Sequence, residues 1–188
     1  MFLFLSSLIR NIVNYYAREW QNAQAPHLLD GTRSVRLRAA APPLAIPSDT
    51  VTCHVDAAWD ANSSNCGLGG IFSGHHSATC LPHLCESRPL VSSALMAEAL
   101  AVRLAVMTAA FANIKRLLIL SDSLSLVSML RSKESRPALF GIVFDIYHFG
   151  FYFDDISFYH IPLLNNQEAD SLAKSALSSM IVTSVGGR

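Results

Sequence analysis

The chain has 188 residues, of which 51% are hydrophobic and only 15% charged, so it can build a sizeable core for one domain plus an appendage, and wholesale disorder is excluded. Its 14 basic and 14 acidic residues cancel, which excludes the broad basic excess of a protein that grips nucleic acid through phosphate charge alone; bound metal ions can still supply positive charge at a site. Four cysteines, Cys53, Cys66, Cys80 and Cys85, are too few for a disulfide-built secreted scaffold.

Met1 to Ile9 has the look of a signal peptide, but no Lys or Arg precedes its short apolar run, and the nearest small-x-small site, Ala23-Gln24-Ala25, lies beyond Arg10, Arg18 and Glu19. It is also shorter than the roughly twenty apolar residues of a membrane span. The expectation is an intracellular protein, nuclear or cytoplasmic, with no membrane partner. Residues 1 to 24 read instead as a short amphipathic helix, with Leu5, Leu8, Ile12, Tyr15, Tyr16 and Trp20 near the helical period. Residues 25 to 48 form a linker containing Pro26, Pro42, Pro43 and Pro47; its Arg33, Arg36 and Arg38 read as a solvated tether rather than a phosphate site.

A domain over residues 49 to 180 follows, with residues 181 to 188 as a tail. Val51 to Val55, rich in β-branched residues, reads as a strand ending at Asp56. Gly67 to Phe72 is a second strand whose glycines permit a tight entry, and His76 to Leu81 a weaker third. Cys80 and Cys85 lie near His75, His76 and His83, but the spacing matches no common structural zinc pattern, and a turn between strands is the simpler reading. Val91 to Ala112 is a long helix with two apolar stripes, Leu100-Leu104-Met107-Phe111 and Leu95-Ala99-Val102-Val106. Arg116 to Leu120 reads as a strand buried on both faces and closed by Ser121-Asp122. Ser123 to Leu130 is a short helix, Ala138 to Phe153 is mixed and largely helical, and Ile156 to Ile161 alternates as a strand. Asn165 to Ser179 is the last helix, with Asn165 as N-cap and Glu168 three residues on. No internal repeat is present. Three strands, a helix, a strand, helices, a strand and a helix make an α/β domain with a mixed sheet, an antiparallel meander followed by crossover units.

Four acids stand where packing alone would not put them. Asp56 and Asp122 each end an expected strand, where ligands gather in open α/β sheets. Glu98 lies one turn from both Leu95 and Val102, so it should face the sheet, and Asp170 sits among small apolar residues early in the last helix. Singly, each has a structural reading: Asp56 starting a turn, Asp122 capping the next helix, Asp170 favouring a helix dipole. Jointly, clustered carboxylates repel one another and are costly to bury without a cation, and oxygen ligands of this kind suit magnesium or manganese. Two such ions can activate a water and stabilise the leaving oxygen of a phosphodiester.

The segments Val55-Asp56-Ala57-Ala58-Trp59, Ala97-Glu98-Ala99-Leu100, Leu120-Ser121-Asp122-Ser123-Leu124 and His160-Ile161-Pro162, continuing through Asn165-Asn166-Gln167-Glu168-Ala169-Asp170 to Ala173, resemble the ribonuclease H type-1 family, most closely its plant, reverse-transcriptase-associated, retroelement-derived branch. The resemblance runs from about Asp49 to Leu177, with four motifs in order. It implies a ribonuclease-H-like three-layer α/β fold with a five-stranded mixed sheet flanked by helices, and an endonuclease that cuts the RNA strand of an RNA–DNA hybrid with two Mg2+ or Mn2+ ions; the chain is expected to act as a monomer. It further implies Asp56, Glu98, Asp122 and Asp170 as catalytic metal ligands, His160 as a catalytic mobile histidine assisting product release or proton transfer, and Asn166 as a substrate-binding residue for the hybrid. The other function open to such a chain is a non-catalytic nucleic-acid or protein-binding module. The interval from Asp122 to Asp170 is short compared with members that carry a basic handle helix, in keeping with the neutral charge. Leu163-Leu164, where the plant branch usually has an arginine and a polar residue, and the segment from Gly74 to Glu86 depart from the family pattern.

Overall fold

The computed structural model describes residues 46–185 except 75–77, 79–80 and 135, with the backbone alone from 181 onward. The expected N-terminal helix, the linker up to residue 45, and His75, His76 and Cys80 lie outside the described residues.

Alternation along Val51–Asp60 (β1) points Val51, Cys53 and Val55 into the core, fully buried, and leaves Thr52 and His54 on the opposite face. β1 pairs antiparallel along its whole length with Asn65–Gly74 (β2), and β2 pairs antiparallel with Leu84–Arg88 (β3). The third strand therefore lies after the expected His76–Leu81 segment. Its Glu86, Ser87 and Arg88 hide it in the sequence, and such residues are tolerated because β3 is an edge strand among the described strands.

Ala94–Phe111 (α1) then crosses the sheet, its N-terminus capped by Ser93 Oγ, which accepts from Met96 N at 3.2 Å. Its buried face is Ala97, Ala99, Ala101, Val102, Ala105, Val106 and Ala109. Of the two expected stripes the second is thus the core face, and the first ends at Phe111, which is 75% exposed. A helix apolar on nearly all sides offers no contrast from which to choose a face. By length and composition α1 is the one described helix able to cross a membrane, but here its alanines and valines cover the sheet.

The chain returns as Arg116–Ser121 (β4), parallel to β1, continues through Leu124–Ser132 (α2), a single 3-10 turn at Pro137–Leu139 and Phe140–Gly150 (α3), and enters Asp155–His160 (β5), parallel to β4. The sheet order is β3-β2-β1-β4-β5. α3 packs on α1, where Arg103 Nε donates to Asp145 Oδ2 at 2.7 Å and Phe111 meets Phe149 edge-on.

A 3-10 turn at Leu163–Asn165 leads into Gln167–Val185 (α4), so Asn165 lies within the turn, not at the cap, and the helix runs six residues past the expected Ser179. α4 covers β1, β2 and β3. Gly67 and Gly69 allow this contact: a Cβ on Gly67 would stand 2.0 Å from Ala173 O, and one on Gly69 2.2 Å from Ala169 O. Buried Ala169, Ala173 and Ala176 supply the matching small stripe on the helix. The strand glycines serve the close approach of α4 rather than a turn.

Candidate metal centre

β1 is paired with β4 only from Val51 to His54, opposite Leu117 to Leu120. Beyond His54 it continues with β2 alone, so the sheet forks between β1 and β4. From β1 the chain proceeds to β2 and β3 on one side and later to β4 and β5 on the other, so the fork is the topological switch point of the sheet, where such folds bind ligands. Asp56 stands at this fork in the middle of β1, opposite Gly69, and not at a strand end as the sequence suggested. Asp122 follows the last residue of β4, and Glu98 comes from the second turn of α1.

The structure brings Asp56, Glu98 and Asp122 together, each with one carboxylate oxygen within 4.8 Å of the others, the only group of three such ligands among the described residues. Asp56 Oδ1 accepts from Ala57 N at 2.8 Å, and Asp122 Oδ1 accepts from Asn166 Nδ2 at 3.3 Å. Glu98 Oε2 is buried without a hydrogen-bond partner. Burial, then the charges of Asp56 and Asp122, push the Glu98 carboxyl up to about 9. Burial first, then Asp122, raise Asp56 to about 6. Without a cation the cluster takes up protons near neutral pH, the behaviour of carboxylates gathered for a cation that would replace those protons.

Asp170 is outside this group. Its Oδ2 accepts from Lys174 Nζ at 2.7 Å, one helical turn along α4, although its charge also raises Asp56. The sequence carries a signal for this pair that the motif pattern does not include: a Lys four residues after an Asp in a helix. Asp122 does not cap α2, whose N-cap is Ser123. Asn166, expected to touch the hybrid, is 1% exposed and its Nδ2 also donates to Val55 O at 2.9 Å, so its amide ties β1 and Asp122 to the start of α4. Its Oδ1 is buried and unpartnered. His160 is the exposed last residue of β5, in register with Ser121 beside Asp122, and exposed Leu163 and Leu164 follow it. A 240 Å³ cleft lies against the first turn of α4, lined by His54, Leu164, Asn165, Asn166, Gln167, Glu168 and Ala169. Burial lowers the pKa of His54 there, and nearby Glu168 partly offsets this. His83 and Cys85 join no group of three metal-ligating side chains among the described residues.

The model of one protein family, described as reverse transcriptase-like, matches residues 54–176, which span all four motifs. The chain belongs to the reverse transcriptase-like family. Solved structures with this family's ribonuclease-H-like fold resemble it over most of their length. The N-terminal RNase H domain of a Mycobacterium tuberculosis protein, solved as a fusion with maltose binding protein, is 18% identical with a TM-score of 0.61, over 68% of this chain and 98% of that one. RNase H1 of the halophilic archaeon Halobacterium salinarum is 22% identical with a TM-score of 0.58, over 69% and 98%. LC11-RNase H1 from compost, solved in complex with an RNA/DNA hybrid, is 19% identical with a TM-score of 0.58, over 70% and 99%. No curated protein matches the sequence. The expected five-stranded mixed sheet flanked by helices is thus the fold of this family member.

Proposed function

We propose that the protein is an endonuclease that hydrolyses the RNA strand of an RNA–DNA hybrid, with Asp56, Glu98, Asp122 and Asp170 holding two Mg2+ or Mn2+ ions. The observation that carries this reading is the cluster of Asp56, Glu98 and Asp122 at the fork of the sheet, with Glu98 Oε2 buried and unpartnered. Hard oxygen donors without a neighbouring thiolate or imidazole in the group fit those ions. When bound, the ions supply water activation and charge stabilisation at the leaving oxygen of a phosphodiester. Family membership and the hybrid seen with LC11-RNase H1 support the substrate class.

In this reading the chain's own groups divide the work. Glu98 and Asp56 give up their protons to admit cations. Asn166 is a positioning residue that fixes Asp122 and β1, and it acts on substrate only through them. His160, exposed beside Ser121, accepts or delivers a proton as product leaves, with a 3′-hydroxyl on one fragment and a 5′-phosphate on the other. Selectivity for a hybrid comes from its shape and from 2′-hydroxyl contacts across the minor groove. The protein works as a monomer on nucleic acid. A second reading, a non-catalytic nucleic-acid or protein-binding module of retroelement descent, is favoured by one observation: Asp170 is held by Lys174 and stands apart from the other three acids. Incubation of a hybrid labelled on its RNA strand with magnesium, manganese or chelator separates the two. The enzyme cuts with either ion and not with chelator; the binding module leaves the RNA intact throughout.

A further inference from the structure

Lys174 has no place in the chemistry above, yet its ammonium lies where it meets the field of the metal centre. Its Nζ donates to Asp170 Oδ2 at 2.7 Å, and its charge also acts on Asp56. Packing sets this arrangement. Ala169 and Ala173 sit directly on Gly69 and Gly67, which fixes both the depth and the rotation of α4. Asp170 and Lys174, each the next residue along the helix, are turned by that contact to the same edge of α4. Asp170 N donates to Asn166 O at 3.0 Å, so the turn bearing Asp170 is anchored to the residue that also holds Asp122. The Lys174 side chain is 68% exposed and that of Asp170 28%, so the ammonium can swing into water without disturbing the core.

We infer that Lys174 is a resident counter-cation that holds Asp170 back from the centre, so that the chain takes a first divalent ion on Asp56, Glu98 and Asp122 and engages Asp170 with a second only by breaking the Lys174–Asp170 pair. The inference rests on the reading of the cluster as a metal centre. It makes Lys174 a positioning residue that sets the affinity of the second ion and leaves the first nearly untouched. A half-exposed ion pair is weak, so the restraint is modest and readily released.

Manganese binding to the full chain, followed by calorimetry and by the electron paramagnetic resonance of free Mn2+, tests this without any turnover. The parent should show a tight class and a weak class of sites. In Lys174→Met, which keeps the apolar stem and removes the charge, the weak class should tighten by about two- to fivefold while the tight class moves by less. Lys174→Arg, which restores the charge, should return the parent isotherm, and adding Asp170→Asn to Lys174→Met should abolish the gain. An unchanged weak class in Lys174→Met overturns the inference alone, as does an equal shift of both classes, which would be a general charge effect. A folded parent that binds no Mn2+ removes the metal-centre reading, and this inference with it.

Discussion

α1 and α4, two helices of 18 and 19 residues, each carry an acid to the site at the fork of the sheet, and each provides for it differently. α1 is lined with alanine and valine, so Glu98 arrives with no cationic side chain against it among the described residues, and burial with its acidic neighbours pushes its carboxyl up to about 9. α4 keeps its acid at the rim and places Lys174 one turn on, so Asp170 is already paired. Among the described residues the inner acids have only neutral hydrogen-bond donors, and Glu98 Oε2 has none, whereas the outer acid has an ammonium against it. The inner set is what a metal ion would repay most.

The largest effect that would sharpen this contrast comes from the inner set. Asp122→Asn keeps the shape and the Asn166 contact but removes a charge, and hybrid cleavage should fall by about a thousandfold or more, at the upper end for loss of one electrostatic group. Cleavage by the variant at the parent's rate would break the assignment. Next comes the seat of α4. Gly69→Ala puts a methyl 2.2 Å from Ala169 O and should cost about 3 kcal/mol or more in urea unfolding. A loss within about 0.5 kcal/mol would mean that α4 is not held by that contact. Smaller again, His160→Ala should lower turnover by about ten- to a hundredfold while leaving Mn2+ affinity intact, at the low end of general acid–base effects. Unchanged turnover from pH 6 to 8, or a large loss of metal binding, would end its proposed role. The smallest effect concerns salt. With 14 basic and 14 acidic residues, hybrid binding should weaken only mildly between low and physiological salt, and a steep fall would point to a phosphate site, with Arg33, Arg36 and Arg38 the first residues to test.

How far the site was legible follows the same contrast. The order of elements and the three inner acids could be read because strand alternation, helix spacing and motif order all pointed the same way. β3 could not, since an edge strand with Glu86, Ser87 and Arg88 lacks the apolar alternation that marks a buried one. The buried face of α1 was ambiguous because apolar residues surround it. Asp56 reads as a strand end because the polar residue interrupts the apolar run, whereas β1 continues on its pairing with β2. The burial of Asn166 depends on how closely α4 lies on the sheet, which Gly67 and Gly69 decide from far away in the sequence, whereas the Lys174–Asp170 pair is local to the helix and legible in its spacing.

Whether Asp56, Glu98 and Asp122 are gathered for a cation is read most directly from thermal stability against pH with and without Mn2+. Both raised carboxyls bind protons more tightly folded than unfolded, Glu98 going from 4.5 to about 9 and Asp56 from 3.8 to about 6. Their contribution is therefore fully present below the unfolded values and is lost as pH rises through the folded ones. The metal-free protein should lose on the order of 2 kcal/mol or more between pH 5 and pH 8, because each unit of displacement is worth about 1.4 kcal/mol. Mn2+, which competes with those protons, should stabilise little at pH 5 and strongly at pH 8, and Asp122→Asn should blunt that gain. A melting temperature that is flat from pH 5 to 8 and indifferent to Mn2+ would rule out a cation site at these three acids.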